Sequence, residues 1–426
     1  MIVDDERVRA GLAALAEALA GSGHLRSPRW RAALLAVRRH VFVPRFWRDE
    51  EPGAFPARWR MIDNATADHD EWLAAVYSDH SLPIELLGVP ARDGRGMHPL
   101  VTSSTTMPSL VVAMLEALDV DDDATAAGAG VSVLEIGTAT GYNAALLCER
   151  LGDHQVTTIE ISPELAALAR VRLAEHGYHP HVVAGDGADG VPDRAPFDRI
   201  IATCGLDHIP PAWLAQTRPG GRILLNLLGP FHRYALLLLN AHEDGHAVGW
   251  FLDQSGGFMP RRADPTRAAD YTVPITRPDG PATTTATTLD PTRLYRGGDW
   301  GLLVQAQSPD LISRQVYLTD PDSADPETEP PLGTELATRD GRSWAQVHHD
   351  PGPGATHTVT QAGPRQLWDE IEELHRRWTA AGRPDRDRWT VSVDPAGAAT
   401  LRLDGRPVPA GSPRERTAAA IGTGGA

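Results

Sequence analysis

Between residues 131 and 253, short apolar runs alternate with amphipathic stretches: VSVLEIG, a helical segment to Leu151, VTTIEI, a helix from Pro163, HVVAG, FDRIIATC and GRILLNLLG. Strands alternating with helices predict βαβ units and a mostly parallel sheet. Two further runs, YALLLLN and AVGWFL, are separated by AHEDGH and not by a helix, which predicts an antiparallel hairpin at the sheet edge. Upstream, Val8, Leu12, Leu15 and Leu19 recur at helical spacing, as do Trp30, Leu34 and Val37. Residues 45–72, beginning RFWRDEEPGAFPARWR, lose that period and read as a loop or lid before a short helix near Glu71–Val76.

After Pro260 the pattern changes. RRADPTRAADYTVPITRPDGPATTTATT carries too few large apolar residues to form a core of its own, which sets a boundary near 265. Strand candidates follow at GLLVQA, RQVYL, SWAQVHH and THTVTQ, interrupted by the acidic, Pro-rich TDPDSADPETEPPLG. Leu367, Trp368, Ile371, Leu374 and Trp378 share one helical face, with Gly382 placed as its C-cap, and WTVSV and ATLRL close the unit as strands. The expected organisation is N-terminal helices and lid (1–80), a ligand-binding α/β core (81–265), an α+β accessory domain (266–404) and a disordered tail (405–426).

The length of 426 residues suits this two-unit division. With 40 basic and 56 acidic residues the net charge is −16, a poor match for phosphate backbones, so nucleic acid is set aside as a partner. Cys148 and Cys204 lie in apolar stretches without metal-ligand spacing, which argues against a disulfide framework or a structural metal and fits a reducing cytoplasm. MIVDDERVRA lacks the basic-then-apolar order of a signal peptide, and no apolar run approaches the roughly 20 residues of a membrane span, so no membrane partner is expected.

Candidate chemistry begins at VLEIGTATGYNAALL, where Glu135 ends a strand, Gly137 occupies the turn and Gly141 opens the next helix. Such a turn lets backbone approach a ligand closely, though nicotinamide and flavin enzymes use similar glycines. Glu160 closes the next strand, where a carboxylate accepts hydrogen bonds from ribose hydroxyls, and Asp186 follows the third strand in position to meet an adenine amino group. The third glycine of a dinucleotide fingerprint is missing, and no helix N-terminus is reserved for a pyrophosphate. The resulting ligand set is Glu135, Gly137, Thr138, Thr140, Gly141, Tyr142, Asn143, Glu160, Ile161, Asp186 and Gly187. The plainer alternative is that the three acidic residues are helix caps and solvated strand ends.

The run GDGADGVPDRAPFDRIIATCGLDHIPPAWLAQTRPGGRILL resembles the protein-L-isoaspartate O-methyltransferase family, as do HVFVPRFW, YSDHSLPIEL and GGFMPRR, so that the likeness covers about residues 30–262. The resemblance implies a Rossmann-like class I methyltransferase sheet that uses S-adenosylmethionine, releases S-adenosylhomocysteine and esterifies a carboxylate. It also implies that VTSSTTMPS holds the acceptor, with Thr106 at the family's usual serine and Ser103, Ser104 and Thr105 as further donors. The alternative for any single hydroxyl is a helix cap. Asp79, His80, Arg45 and Arg58 are weaker substrate-binding candidates, the arginines as part of a peptide groove with Arg38, Arg39, Arg48 and Arg60, or equally as a solvated face.

Ala139, where the family commonly has glycine, is one departure; the long early segment and the C-terminal unit are larger ones. The latter two resemble a subfamily that acts beside ATP-grasp enzymes on ribosomally made, cross-linked acidic peptides. There a normal aspartate is esterified and closes to aspartimide, and this is the first expectation for function. General repair of isoaspartyl residues, a small-molecule methyltransferase and a non-catalytic peptide-binding module are the alternatives.

Overall fold

The computed structural model describes residues 5–51, 58–90, 97–120, 130–231, 234–266, 275–296, 299–316, 331–350, 352, 354–403 and 406–407. The N-terminal part contains α1 (Asp5–Gly21), α2 (Pro28–Ala36), α3 (Arg39–Phe42), β1 (Arg45–Asp49), β2 (Trp59–Asp63), α4 (His69–Val76), β3 (Leu82–Pro90), β4 (Met97–Thr105) and α5 (Pro108–Leu118). The core follows with β5 (Val133–Ile136), α6 (Tyr142–Leu151), β6 (Val156–Glu160), α7 (Pro163–Glu175), β7 (His181–Ala184), β8 (Phe197–Leu206), α8 (Pro211–Gln216), β9 (Thr217–Leu228), β10 (Tyr234–Ala241) and β11 (Ala247–Phe251). The C-terminal part adds β12 (Ala282–Thr287), α9 (Arg293–Arg296), α10 (Trp300–Gln307), β13 (Leu311–Val316), β14 (Gly333–Thr338), β15 (Trp344–His348), β16 (His357–Ala362), α11 (Leu367–Ala380), β17 (Trp389–Val393), β18 (Ala399–Leu403) and β19 (Arg406–Pro407).

The alternating pattern of residues 131–253 does form a parallel sheet: β5 lies between β6 and β8, β7 flanks β6, and β9 runs parallel to β8. Its strands read as continuous apolar runs because both faces are covered. Val133, Val156, Ile201 and Leu224 point into a core shared with the N-terminal helices. Leu134, Ile159, Ile200, Ile223 and Leu225 belong to a second core shared with α10, α11 and the C-terminal strands. Ser162 caps α7 by accepting from Leu165 N–H, with Pro163 at the first helical position where its missing N–H costs nothing.

The β10–β11 hairpin follows β9 antiparallel, and the sheet continues past it. β17 pairs with β11, β18 with β17 and β19 with β18, giving ten strands in the order β19-β18-β17-β11-β10-β9-β8-β5-β6-β7. The WTVSV and ATLRL strands therefore extend the sheet of residues 131–253 itself. A second sheet of five antiparallel strands, β12-β16-β15-β14-β13, makes up most of the remaining C-terminal part.

Several expectations need correction. GLLVQA, read as a strand, is helical within α10, because a short apolar run has no period by which to tell a buried helix from a strand. Residues 45–72 are no simple loop: β1 and β2 pair antiparallel from Arg45↔Asp63 to Asp49↔Trp59, and α4 starts at His69 with Asp68 as its cap. Residues 101–105 of VTSSTTMPS are strand, paired with β3, and only Thr106 and Met107 connect β4 to α5. ATTTAT, too polar to suggest a strand, is β12, which pairs with β16 at the edge of its sheet, where mostly exposed threonines are tolerated. Of the expected tail, Arg406 and Pro407 are strand, and residues 408–426 lie outside the described residues.

Candidate active site

The C-terminal ends of β5, β6 and β8 open onto a cavity of about 590 Å³, closed on the other side by β4, the start of α5 and residues 254–262. Ligands bind at this edge of an open α/β sheet because the strand-to-helix turns there leave backbone groups free.

At its base, the turn after β5 is held in unusual backbone. Gly137 has φ 97°, and a Cβ there would stand 2.8 Å from Thr203 Oγ1, which donates to the carbonyls of Ile136 and Gly137 at 3.1 and 2.9 Å. Ala139 is left-handed at φ 47°, which costs an L-residue about 1–2 kcal/mol, and its N–H donates to Glu160 Oε2 at 2.8 Å. Ser162 N–H donates to the other oxygen, Oε1, at 3.1 Å. Burial pushes the Glu160 carboxyl up, and these two backbone donors pull it back. Its carboxylate thus stands fixed at the end of β6 with lone pairs remaining.

Glu135 is fully buried and accepts from Asn143 Nδ2 at 2.7 Å and from Thr158 Oγ1 at 2.6 Å, and Thr138 Oγ1 lies 2.6 Å from Thr158 Oγ1. Burial raises its carboxyl to about 7 against those hydrogen bonds. The folded chain therefore holds this proton more tightly than the unfolded chain, and the associated stability is full below about pH 4.5 and lost as pH rises through 7. Glu135→Gln should accordingly stabilise the ligand-free protein at pH 8, by roughly 3 kcal/mol of linkage at most and with a higher melting temperature, and leave it little changed at pH 5. Equal shifts at both pH values, measured by calorimetry, would contradict the buried-proton account.

Two residues that line the cavity carry a buried polar atom without a hydrogen-bond partner among the described residues: the Tyr142 hydroxyl and Asn143 Oδ1. Such groups cost free energy unless a ligand or water satisfies them. Together with the space that only a glycine leaves at 137, they fit a polar ligand that follows the β5 turn.

Of the expected ligand set, Glu135, Gly137, Thr138, Thr140, Tyr142, Asn143, Glu160, Ile161 and Gly187 line this one cavity. Gly141 does not line it: a Cβ there would meet Leu173 at 3.3 Å, so its φ of 88° serves close packing of the α6 start on α7. Asp186 stands behind the lining. It accepts from Arg261 Nη1 through Oδ1 and Oδ2 at 2.7 and 2.9 Å and from Ala188 N–H at 2.9 Å. Ser103, Ser104, Thr105 and Thr106 all line the opposite wall.

Asp79, His80, Arg45 and Arg58 are not in the cavity wall. Asp79 accepts from Ser109 N–H at 2.8 Å at the start of α5, His80 is exposed beside Ser78, and Arg45 and Arg58 are exposed on the β1–β2 hairpin and just before β2. Arg38, Arg39, Arg48 and Arg60 do not line the cavity either. Arg39 is fully buried, donating to the carbonyls of Val76, Ser78, His80 and Thr106 at 2.6–3.1 Å, and burial lowers its guanidinium to about 10. Arg38 pairs with Asp5 and Arg60 with Glu50, each at 2.8 Å, and Arg48 with Glu71. Charge counted along a sequence cannot distinguish a groove from local ion pairs.

Sequence reasoning missed His24, Thr203 and the whole 254–262 segment as cavity wall. GGFMPRR was visible as a motif, but its position depends on the chain returning to β8: Gly205 N–H donates to Met259 O at 2.7 Å, and Arg261 N–H to Gly205 O at 2.8 Å. Gly256 in this strap has no room for a side chain, since a Cβ would lie 2.1 Å from Asn226 Oδ1. Among the described residues, no cluster of three or more His, Cys, Asp or Glu is arranged to hold a metal, and no helix is long and apolar enough to cross a membrane.

Known proteins resemble this chain in sequence and in fold. Residues 65–248 match the model of the protein-L-isoaspartate(D-aspartate) O-methyltransferase family. A protein-L-isoaspartate O-methyltransferase of Methanopyrus kandleri is 34% identical over 248 residues, covering 58% of this chain and 88% of that protein. One of Hyperthermus butylicus is 32% identical over 232 residues, covering 52% and 77%. A solved protein-L-isoaspartate O-methyltransferase structure shares the fold at 19% identity, with a TM-score of 0.53, over 92% of this chain and 99% of that one. That likeness of fold runs beyond the catalytic core into the C-terminal part. The matched relatives, the family model and the sheet with its cavity agree: this chain belongs to the protein-L-isoaspartate O-methyltransferase family.

Proposed function

We propose that this protein is an S-adenosylmethionine-dependent carboxyl methyltransferase that esterifies the α-carboxylate of isoaspartyl residues in peptides and proteins. The observation that carries this reading is the cavity's two-sided lining, with Glu135 and Glu160 on one wall and the hydroxyls of residues 103–106 on the other.

When bound, S-adenosylmethionine supplies a methyl group made electrophilic by its sulfonium. Glu160 offers the ribose hydroxyls a fixed acceptor, while Asp186, held by Arg261 and Ala188 N–H behind the lining, steadies that wall from outside the cavity. The Tyr142 hydroxyl and Asn143 Oδ1 are available to the ligand's remaining polar groups.

A carboxylate acceptor is ionised at neutral pH, so no general base is required and the residues of β4 act by orientation. The end of that strand is well held. Thr106 O accepts from Arg39, Met107 N–H donates to Ser81 Oγ at 3.0 Å and Ser109 N–H to Asp79. Arg39 and Asp79 therefore position the acceptor wall without touching the acceptor. Thr106→Val should lower kcat/KM for an isoaspartyl peptide about 10–100-fold, the worth of one hydrogen bond to a charged group, and leave S-adenosylhomocysteine affinity within about twofold. Equal losses in both would remove Thr106 from acceptor binding.

The narrower reading, esterification of a normal aspartate in a cross-linked ribosomal peptide on the way to aspartimide, rested on the C-terminal part and the long early segment. The first support is weakened by the solved protein-L-isoaspartate O-methyltransferase structure, whose fold likeness spans 92% of this chain. The second has become an ordinary hairpin and helix. Mass spectrometry separates the two readings. Methylation of an isoaspartyl test peptide supports repair, whereas methyl gain and then net loss of water on a cross-linked acidic peptide alone would replace it with the biosynthetic role.

A further inference from the structure

The two arginines that end the strap point to different halves of the cavity. Arg261 engages both oxygens of Asp186 behind the ligand wall. Arg262, 7% exposed, donates from Nη2 to Glu85 Oε2 at 2.9 Å and from Nη1 to Pro265 O at 2.9 Å. Glu85 Oε2 also accepts from Thr102 Oγ1 at 2.7 Å, one residue before Ser103. Glu85 lies where the β3–β4 register slips, facing Ser103, between shifts at Pro83/Glu85 and Glu85/Leu86. An irregularity of this kind re-aims the side chains of its hairpin and depends on local contacts to hold its register.

We propose that Arg261 and Arg262 form a two-armed brace that couples occupancy of the cofactor site to the order of the acceptor hairpin, with Arg262 as a positioning residue. The argument rests on the functional reading above for which wall takes which ligand. Both arms leave adjacent residues of one strap that is clamped to β8 through Gly205, so neither end can shift without moving the other. Arg262 is also electrostatically felt by Glu160 and opposes the neighbouring charge of Glu85 there. Without the Arg262 charge, Glu85 keeps the Thr102 hydroxyl but is left half-buried with no opposite charge, near a Glu160 of the same sign, and the register at Ser103 loses its link to the strap.

Hydrogen exchange on the full chain, with and without S-adenosylhomocysteine, tests this directly. In the wild type the ligand should slow exchange in Leu82–Pro90 and Met97–Thr105 at least about fivefold, although the ligand wall lies across the cavity from them. In Arg262→Gln that remote protection should disappear, with S-adenosylhomocysteine affinity within about threefold of wild type. Arg262→Lys, which keeps the charge, should recover part of it. If Arg262→Gln does not fold, Glu85→Gln removes the same ion pair from the hairpin side and should show the same loss. Undiminished protection in these variants, or none in the wild type, overturns the brace. No acceptor peptide enters the measurement, so its failure is distinct from a failure to methylate isoaspartyl peptides.

Discussion

Glu160→Gln is expected to weaken S-adenosylhomocysteine binding about a hundredfold while the protein remains folded. The carboxylate sits at the end of β6 with one oxygen on Ala139 N–H and the other on Ser162 N–H, so its free lone pairs are held in place before any ligand arrives. Hydrogen bonds from ribose hydroxyls to a charged acceptor are each worth about 1.5–3 kcal/mol, and an amide keeps only one acceptor oxygen. The replacement also turns an NH₂ toward one of the two backbone donors, which disturbs the left-handed turn at Ala139. Because burial pushes the Glu160 carboxyl up, removing its charge relieves desolvation and offsets part of the lost hydrogen bonding in the fold. Affinity should therefore fall much further than stability. Calorimetric titration beside a melting curve reads both, and an affinity within about threefold of wild type would show that the ribose is held elsewhere.

Gly137→Ala should abolish detectable cofactor binding and also lower stability. At φ 97° an L-residue is strained, and the added methyl would stand 2.8 Å from Thr203 Oγ1, a hydroxyl fixed by two carbonyls. Gly137 and Thr203 both line the cavity, so the same methyl is expected to hinder a ligand's approach to the turn. Adding Thr203→Ala removes the internal clash without restoring glycine's freedom or the vacant space. The double variant should thus regain part of the lost melting temperature and none of the binding. Recovery of binding in the double variant would mean that the clash alone, and not ligand access, makes glycine necessary.

How much of this could be seen in advance depended on distance along the chain. Glu135, Gly137 and Glu160 declare themselves because strand, turn and acidic residue are contiguous, and the topology of a βαβ unit then dictates where they meet. The hydroxyls of 103–106 were recognisable only through family likeness, since their polar run resembles a helix cap until β3 is seen beside it. Arg261 and Arg262 reach the site through a return of the chain to Gly205, which no local pattern encodes. Gly141 and Asp79 lie outside the cavity wall for a different reason: both are conformationally or electrostatically suited to ligands, yet Leu173 and the start of α5 use those properties for packing and capping. Arg39 shows the same limit, as an arginine that reads as surface charge serves as an internal hydrogen-bonding hub.

The pairing of β11 with β17 gives this enzyme an order of assembly. During synthesis the nascent chain presents every residue that lines the cavity once the strap has left the ribosome, but the sheet that carries many of them still ends in the bare backbone of Ala247–Trp250, whose partners are Thr390–Val393. Trp389, Val391 and Leu401, buried in the second core, arrive last. Until then the unfinished sheet offers a templating edge to any neighbouring strand. A chain ended after residue 265 is expected to keep that edge permanently and to associate, as light scattering would register, even though every residue proposed to bind cofactor or acceptor is present.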